Sequence, residues 1–172
     1  MTHEVLLAKL WVLKTAGFIL RIPGGSSRKG DHSSFVAIYR SNKDFEIEVL
    51  VVPYNPTITI ERKYDEDEFD EVPVGSLALK VSEQTGVKIY DPIRIGLQEA
   101  KNNRSEVRSE KHLKLLYITD KYDDSGIRVI GTTDGRLDPP EWVPINLLKK
   151  HLCPQHQWMI PIIENHLISQ TM

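Results

Sequence analysis

The chain has 172 residues, enough for one domain with a sizeable core, and its apolar (40%) and charged (27%) fractions are typical of a soluble globular protein. Its formal net charge of −2 argues against nucleic-acid binding driven by overall charge. Cys153 is the single cysteine, which excludes an internal disulfide and a cysteine-based zinc cluster and fits a reducing, cytoplasmic location.

The N-terminal segment, residues 5–20, predicts an amphipathic helix that ends near Gly17, and its second half, FILRI, is equally compatible with a strand. Basic residues interrupt its apolar run at Lys9 and Lys14, so no apolar stretch approaches the ~20 residues of a membrane span. We therefore expect no membrane contact, and an apolar stripe covered by the rest of the domain or by a second copy of the chain, as in a homodimer. This stripe comprises Val5, Leu6, Leu10 and Leu13.

A segment rich in Gly and Ser, PGGSSRKGDHSS, follows at residues 23–34. Its glycine spacing fits neither a Walker A loop nor a dinucleotide fingerprint, so a plain connecting loop is expected rather than a phosphate-binding one. β-branched and aromatic residues then predict three strands, in SFVAIYR, FEIEVLVVPY and TITIERKY.

The centre of the chain combines an acidic run with an amphipathic helix. Like charges in DEDEFDE, residues 65–71, repel one another and predict a solvated loop. Pro73 fits the first turn of a helix, and Gly86 fits its end. The residues expected on the buried face are Val74, Leu77, Ala78 and Val81. Those expected on the outer face are Lys80, Glu83 and Gln84.

The remaining half of the chain predicts further strands and two helices. Strands are expected in VKIYDPIRIGLQEA, HLKLLYITDKY and GIRVIGTT, and helices at residues 144–152 and in QHQWMIPIIENHLISQ. Consecutive strands joined by short turns indicate an α/β (α+β) domain with a mixed sheet and helices packed on it. A doubly wound sheet would instead show regular strand–helix alternation.

The end of the central helix resembles the signature of the Nudix hydrolases. That signature runs Gly, five residues, Glu, seven residues, Arg-Glu, an aliphatic residue, any residue, Glu-Glu, any residue, Gly and an aliphatic residue. In this chain it aligns with LKVSEQTGV, residues 79–87. The matching positions are Val81, Glu83, Gly86 and Val87.

Other signature positions differ or lie further upstream. Glu71 falls on the isolated glutamate, whereas Asp65 stands at the first Gly. Leu79 and Lys80 replace Arg-Glu, and Gln84 replaces the second Glu of the pair. The resemblance extends from about residue 33 to the C-terminus. It implies a Nudix-like α/β/α sandwich over residues 33–172, preceded by an N-terminal extension, residues 1–32. The Pro-Gly-Gly at residues 23–25 lies before the first family-like strand and is interpreted as coincidence.

The resemblance also implies a function, the cleavage of a nucleoside diphosphate-linked compound with Mg²⁺ or Mn²⁺ held by carboxylates. The implied catalytic residues are Glu83, Glu71 and Glu99. The implied metal ligands are Glu83, Glu71 and Glu68. The residues implied to contact the substrate are Lys80 and Gln84.

The charge of Lys80 stands against that chemistry. Replacing Glu by Lys changes the local charge by two units, and two unit charges about 4 Å apart interact by roughly 4 kcal/mol at an effective dielectric near 20. Three interpretations therefore stay open: a hydrolase with weakened metal-dependent cleavage, an inactive module that binds a nucleotide, a phosphorylated ligand or a protein partner, and an ordinary packing helix whose polar face is only wet surface.

Overall fold

The computed structural model describes residues 2–26, 32–58, 74–101 and 111–171. Its elements are numbered in chain order. The helices are α1 (His3–Thr15), α2 (Val74–Thr85), α3 (Ile145–His151) and α4 (Met159–Thr171). The strands are β1 (Ile19–Arg21), β2 (Gly24–Ser26), β3 (His32–Ser41), β4 (Ile47–Tyr54), β5 (Lys88–Tyr90), β6 (Ile93–Lys101), β7 (Lys111–Thr119), β8 (Lys121–Asp123) and β9 (Glu141–Pro144).

The described strands form one large mixed sheet and one small one. The order in the large sheet is β1-β4-β3-β7-β6, with β2 also paired to β3 and β9 to β4. β3 and β7 are parallel, whereas β4 is antiparallel to β1, β3 and β9. β5 and β8 form a separate antiparallel pair. The mixed sheet expected from the sequence is therefore confirmed.

Helices cover both faces of the large sheet, because its central strands alternate between two cores. Along β4, Val49 and Val51 contact one core and Leu50 the other, as the period of two in a strand requires. α1, α3 and α4 pack on the first face, and α2 packs on the second. The result is the predicted sandwich of helices, sheet and helix.

The N-terminal residues belong to the first core. Leu6, Leu10 and Leu13 are buried as predicted, spaced by four and three residues along one face of α1. Val5 was expected with them but is 57% exposed, because it lies a third of a turn away from that stripe. β1 and β2 extend the same sheet through β4 and β3, so residues 2–26 are built into the fold. None of the described helices has the length and apolarity needed to cross a bilayer.

One strand prediction is wrong. The segment GIRVIGTT, residues 126–133, forms a loop in which Val129 is 80% and Ile130 is 73% exposed. Its β-branched residues pair with none of the described strands. Arg128 instead donates its main-chain N–H to the Thr85 carbonyl and its side chain to the Asp138 carbonyl. The third predicted strand, TITIERKY, lies mostly outside the described residues.

Candidate functional site

Helix α2 carries the segment that resembles the signature. It packs on β2, β3 and β5, with Leu77 and Val81 fully buried and Ala78 partly covered, as the helical spacing predicts. The side chain of Val74 lies outside the part of the chain that is described. The helix ends at Thr85, whose hydroxyl donates to the Val81 carbonyl (2.7 Å) and accepts from the Val87 amide (3.0 Å). These two hydrogen bonds close the C-terminal end of α2.

Lys80 does not lie on the exposed face, which corrects the expectation from sequence. Only 6% of Lys80 is exposed. Residues three and four apart share a helix face, so Lys80 lies on the same face of α2 as buried Leu77 and as Gln84. The position aligned with the glutamate of Arg-Glu thus holds an enclosed lysine rather than a solvated one.

Gln84 binds main-chain atoms of the Pro-Gly-Gly segment. Its Oε1 accepts from the Gly24 amide at 3.0 Å, and its Nε2 donates to the Gly24 carbonyl at 2.8 Å. A side-chain amide both donates and accepts, whereas an ionised carboxylate only accepts. The residue that replaces the second glutamate of the pair therefore does what glutamate cannot do: it joins α2 to β2 through both polar groups of one residue.

Gly24 allows this contact because its backbone lies very close to β3. Its φ is +152°, and a Cβ placed there would lie 2.1 Å from the Ser34 carbonyl oxygen and 2.7 Å from the Phe35 Cα. A side chain is therefore excluded at this position. The backbone just before Gly24 is also held in place, because the Ile22 amide donates to His156 Nδ1 at 2.9 Å.

The structure thus places the Pro-Gly-Gly segment against α2, through the Gly24–Gln84 hydrogen bonds. The contact gives the segment a structural role in this chain, and its interpretation as unrelated to the family's own Pro-Gly-Gly stays a prediction.

The other predicted site residues are dispersed or lie beyond the described ranges. Glu83 is exposed on α2. Glu99 is exposed on β6, which β7 separates from β3, the large-sheet strand under α2. Glu71 and Glu68 are outside the described residues, so their roles stay predictions. Within those ranges no group of three or more His, Cys, Asp or Glu side chains is arranged to hold a metal.

The described part of the signature does not fit a divalent cation. Mg²⁺ and Mn²⁺ prefer hard oxygen ligands, and a hydrolytic site for them is built from carboxylates. Of the three aligned positions on α2, Lys80 carries the wrong charge and both polar groups of Gln84 are used by Gly24. Glu83 is the one carboxylate among these three.

A small cleft of ≈ 20 Å³ opens beside Gly24 and Gln84, between β1, β4 and α2. Two arginines and a tyrosine dominate its polar lining, with the Arg21 guanidinium carbon 5.0 Å from the centre of the Tyr54 ring. The described lining residues are Arg21, Ile22, Gly24, Val52, Tyr54, Gln84, Arg136 and Leu137. Neither arginine lies in a recognisable sequence motif, so the sequence gives no sign that the two line one cleft.

Comparisons with known proteins bear on the fold. No protein-family model matches the sequence, and no curated protein matches it significantly. Among solved structures, the MutT Nudix hydrolase from Burkholderia pseudomallei has a TM-score of 0.50 at 14% identity, over 77% of this chain and 97% of that one.

Two other similar structures have slightly lower scores. The Nudix domain of Shewanella oneidensis NrtR, solved with ADP ribose, has a TM-score of 0.49 at 14% identity, over 79% of this chain and 87% of that one. The mutator MutT protein from Bacillus halodurans has 0.49 at 13% identity, over 76% and 79%. With α2 packed on a mixed sheet and further helices behind it, the chain has the fold of the Nudix hydrolases.

Proposed function

We propose that the chain is a Nudix-like module that binds a nucleotide-type small molecule, and that metal-dependent pyrophosphate cleavage at α2 is lost or strongly weakened. The observation that carries this proposal is the pair of hydrogen bonds between Gln84 and Gly24. These bonds occupy the Gln84 side chain, at a position where a metal site of the family type would need a carboxylate.

The enclosed position of Lys80 supports the same conclusion. Lys80 occupies the aligned glutamate position and so brings positive charge close to where a divalent cation would lie, and burial lowers the screening of that charge. Glu83 alone then supplies negative charge from α2, which is too little to offset dehydration of Mg²⁺. Nucleotide binding without metal needs no such carboxylates, because protein cations contact the phosphates directly.

A weakened hydrolase is the second candidate, favoured by the exposure of Glu83 and by the acidic run that precedes α2 in sequence. In this alternative Glu83, Glu71 and Glu68 would bind Mg²⁺ or Mn²⁺ and Glu99 would act as a base. The metal would supply charge neutralisation at the phosphate oxygens.

One pair of measurements separates the two candidates. We expect no metal-dependent turnover of nucleotide sugars, dinucleotides or nucleoside triphosphates with Mg²⁺ or Mn²⁺, and weak or absent binding of Mn²⁺ by isothermal titration. Tight Mn²⁺ binding together with turnover that Glu83→Gln abolishes would support the hydrolase instead. Glu4→Gln, an exposed change on α1, is the matched control and should alter neither measurement.

A further inference from the structure

We propose that a pocket between the C-terminal ends of α1 and α3 binds a small amphipathic acid, an apolar molecule that ends in one carboxylate. This pocket, called the α1–α3 pocket below, has a volume of ≈ 320 Å³. It lies on the face of the large sheet opposite α2, because its leucines belong to the core that α1, α3 and α4 cover. The inference therefore goes beyond the proposed function and does not depend on it.

The walls of the α1–α3 pocket are apolar. Leu10 and Leu13 line it from α1, Phe18 from the turn that follows α1, Leu20 from β1, and Leu152 from the end of α3. Proteins bind small molecules in cavities of this size whose walls are mainly apolar and which carry a few polar groups. The apolar part of a ligand would be removed from water here.

Main-chain hydrogen bonds hold these walls in position. The Phe18 amide donates to the Leu13 carbonyl at 2.9 Å, so the turn after α1 is closed against the helix. The Cys153 amide donates to the Leu20 carbonyl at 3.0 Å, and Leu152 is bridged to Leu20, which joins the end of α3 to β1. A pocket with fixed walls loses little conformational entropy when it binds a ligand.

The polar side chains of the pocket carry positive charge. Lys14 and Lys150 are exposed and line it together with His151. Burial, followed by the charges of the two lysines, lowers the pKa of His151, so both ammonium groups lie close to its ring. The residues described as lining the pocket include no Asp or Glu. A carboxylate has two acceptor oxygens for these ammonium groups, and the neutral imidazole can donate a further hydrogen bond.

A neighbouring lysine shows what the pocket lacks. Lys149 lies 2.9 Å from the Glu164 carboxylate, whereas neither Lys14 nor Lys150 forms an ion pair within the described ranges. Each of these two lies in the last turn of its helix, where the helix dipole favours a positive charge. The dipoles do not require both charges to line one apolar pocket. A carboxylate ligand would supply their negative partner.

Isothermal titration with octanoate at neutral pH and low ionic strength tests the proposal. Wild-type protein should bind octanoate at least about tenfold more tightly than acetate, which lacks the apolar chain, or octylamine, which carries the opposite charge. Lys14→Gln and Lys150→Gln should each weaken octanoate binding about threefold, and the double variant about tenfold. Lys149→Gln, the matched control, should stay within about twofold of wild type.

A variant that fills the pocket locates the binding site. Ile19 is partly exposed and lines the pocket, so Ile19→Trp should abolish octanoate binding while both lysines remain. The exposed lysine variants keep the test decisive if Ile19→Trp does not fold.

Three results would overturn the inference. The first is no binding of octanoate by wild-type protein, or equally tight binding of octylamine. The second is an equal loss of affinity in the double lysine variant and in Lys149→Gln. The third is a dimer, seen by sedimentation, that Ile19→Trp dissociates, because a second copy of the chain would then occupy the pocket. None of these results bears on nucleotide binding at α2.

Discussion

At the scale of single residues, Gln84 shows how a position that resembles a catalytic one can be required for structure. Its amide satisfies a donor and an acceptor of the Gly24 main chain, at 3.0 and 2.8 Å, and so secures β2 against α2. Polar groups that are enclosed without partners are costly, so this bond pair stabilises the contact as well as positioning it.

The first prediction is therefore that Gln84→Glu destabilises the protein rather than rebuilding a metal site. The new carboxylate would face the Gly24 carbonyl with no proton to donate, and the free energy of unfolding should fall by about 1–3 kcal/mol. Urea denaturation measures this change. Glu83→Gln, the neighbouring exposed change, should stay within about 0.5 kcal/mol of wild type. A stable Gln84→Glu variant with tightened Mn²⁺ binding would contradict the structural role.

At the scale of elements, the candidate site forms where strands β1 and β2, from the N-terminal part of the chain, lie next to helix α2. The two sides are 60 residues apart in sequence at the Gly24–Gln84 contact. β2 fits there because its first residue has no side chain, which lets the strand lie on β3 and under the helix together. The geometry of the cleft thus depends on one glycine.

The second prediction concerns that glycine. Gly24→Ala would place a Cβ 2.1 Å from a main-chain oxygen of β3 in a backbone conformation that alanine rarely adopts, and should cost more than about 4 kcal/mol. Thermal and urea unfolding measure the loss. Ser26→Ala, in the same strand, removes only a hydroxyl bonded to Ser33 and should cost about 1 kcal/mol. Similar losses in the two variants would mean that β2 does not need a glycine there.

At the scale of the whole molecule, the C-terminal part of the chain holds the N-terminal part through His156. The Ile22 amide donates to its Nδ1, and its ring packs edge-on against Phe35 in β3. Burial, with the positive charges of Arg21 and Lys114, lowers the His156 pKa from 6.5 to about 3. The folded protein therefore holds this ring neutral, as an acceptor.

The third prediction follows from that pKa. Between pH 6.5 and about 3 the unfolded chain binds a proton at His156 that the folded chain does not, so this contribution to stability is complete above 6.5 and is lost as the pH falls. His156 should lower the free energy of unfolding by up to about 1.4 kcal/mol per pH unit in that window. His156→Asn, which does not titrate, should show a shallower dependence in urea unfolding between pH 7 and about 4. Parallel curves would rule out the contribution.

Local periodicity was enough to predict much of the fold. Alternation in FEIEVLVVPY predicted β4, and the spacing of Leu77 and Val81 predicted the buried face of α2. These patterns are local because a strand repeats every two residues and a helix every 3.6. Local propensity failed at Val129 and Ile130, whose β-branched side chains favour a strand although neither residue pairs with a strand in the described part of the chain.

The sequence by itself determined most of the elements and the resemblance carried by residues 79–87. Only the tertiary structure decided that Lys80 is enclosed, that Gln84 binds Gly24, and that Arg21 and Arg136 share one cleft. The physical reason is that periodicity records which side of an element is buried, whereas a site depends on which distant segments meet there. Those meetings are set by sheet pairing between remote strands, here β1 with β4 and β2 with β3, and no local pattern records them.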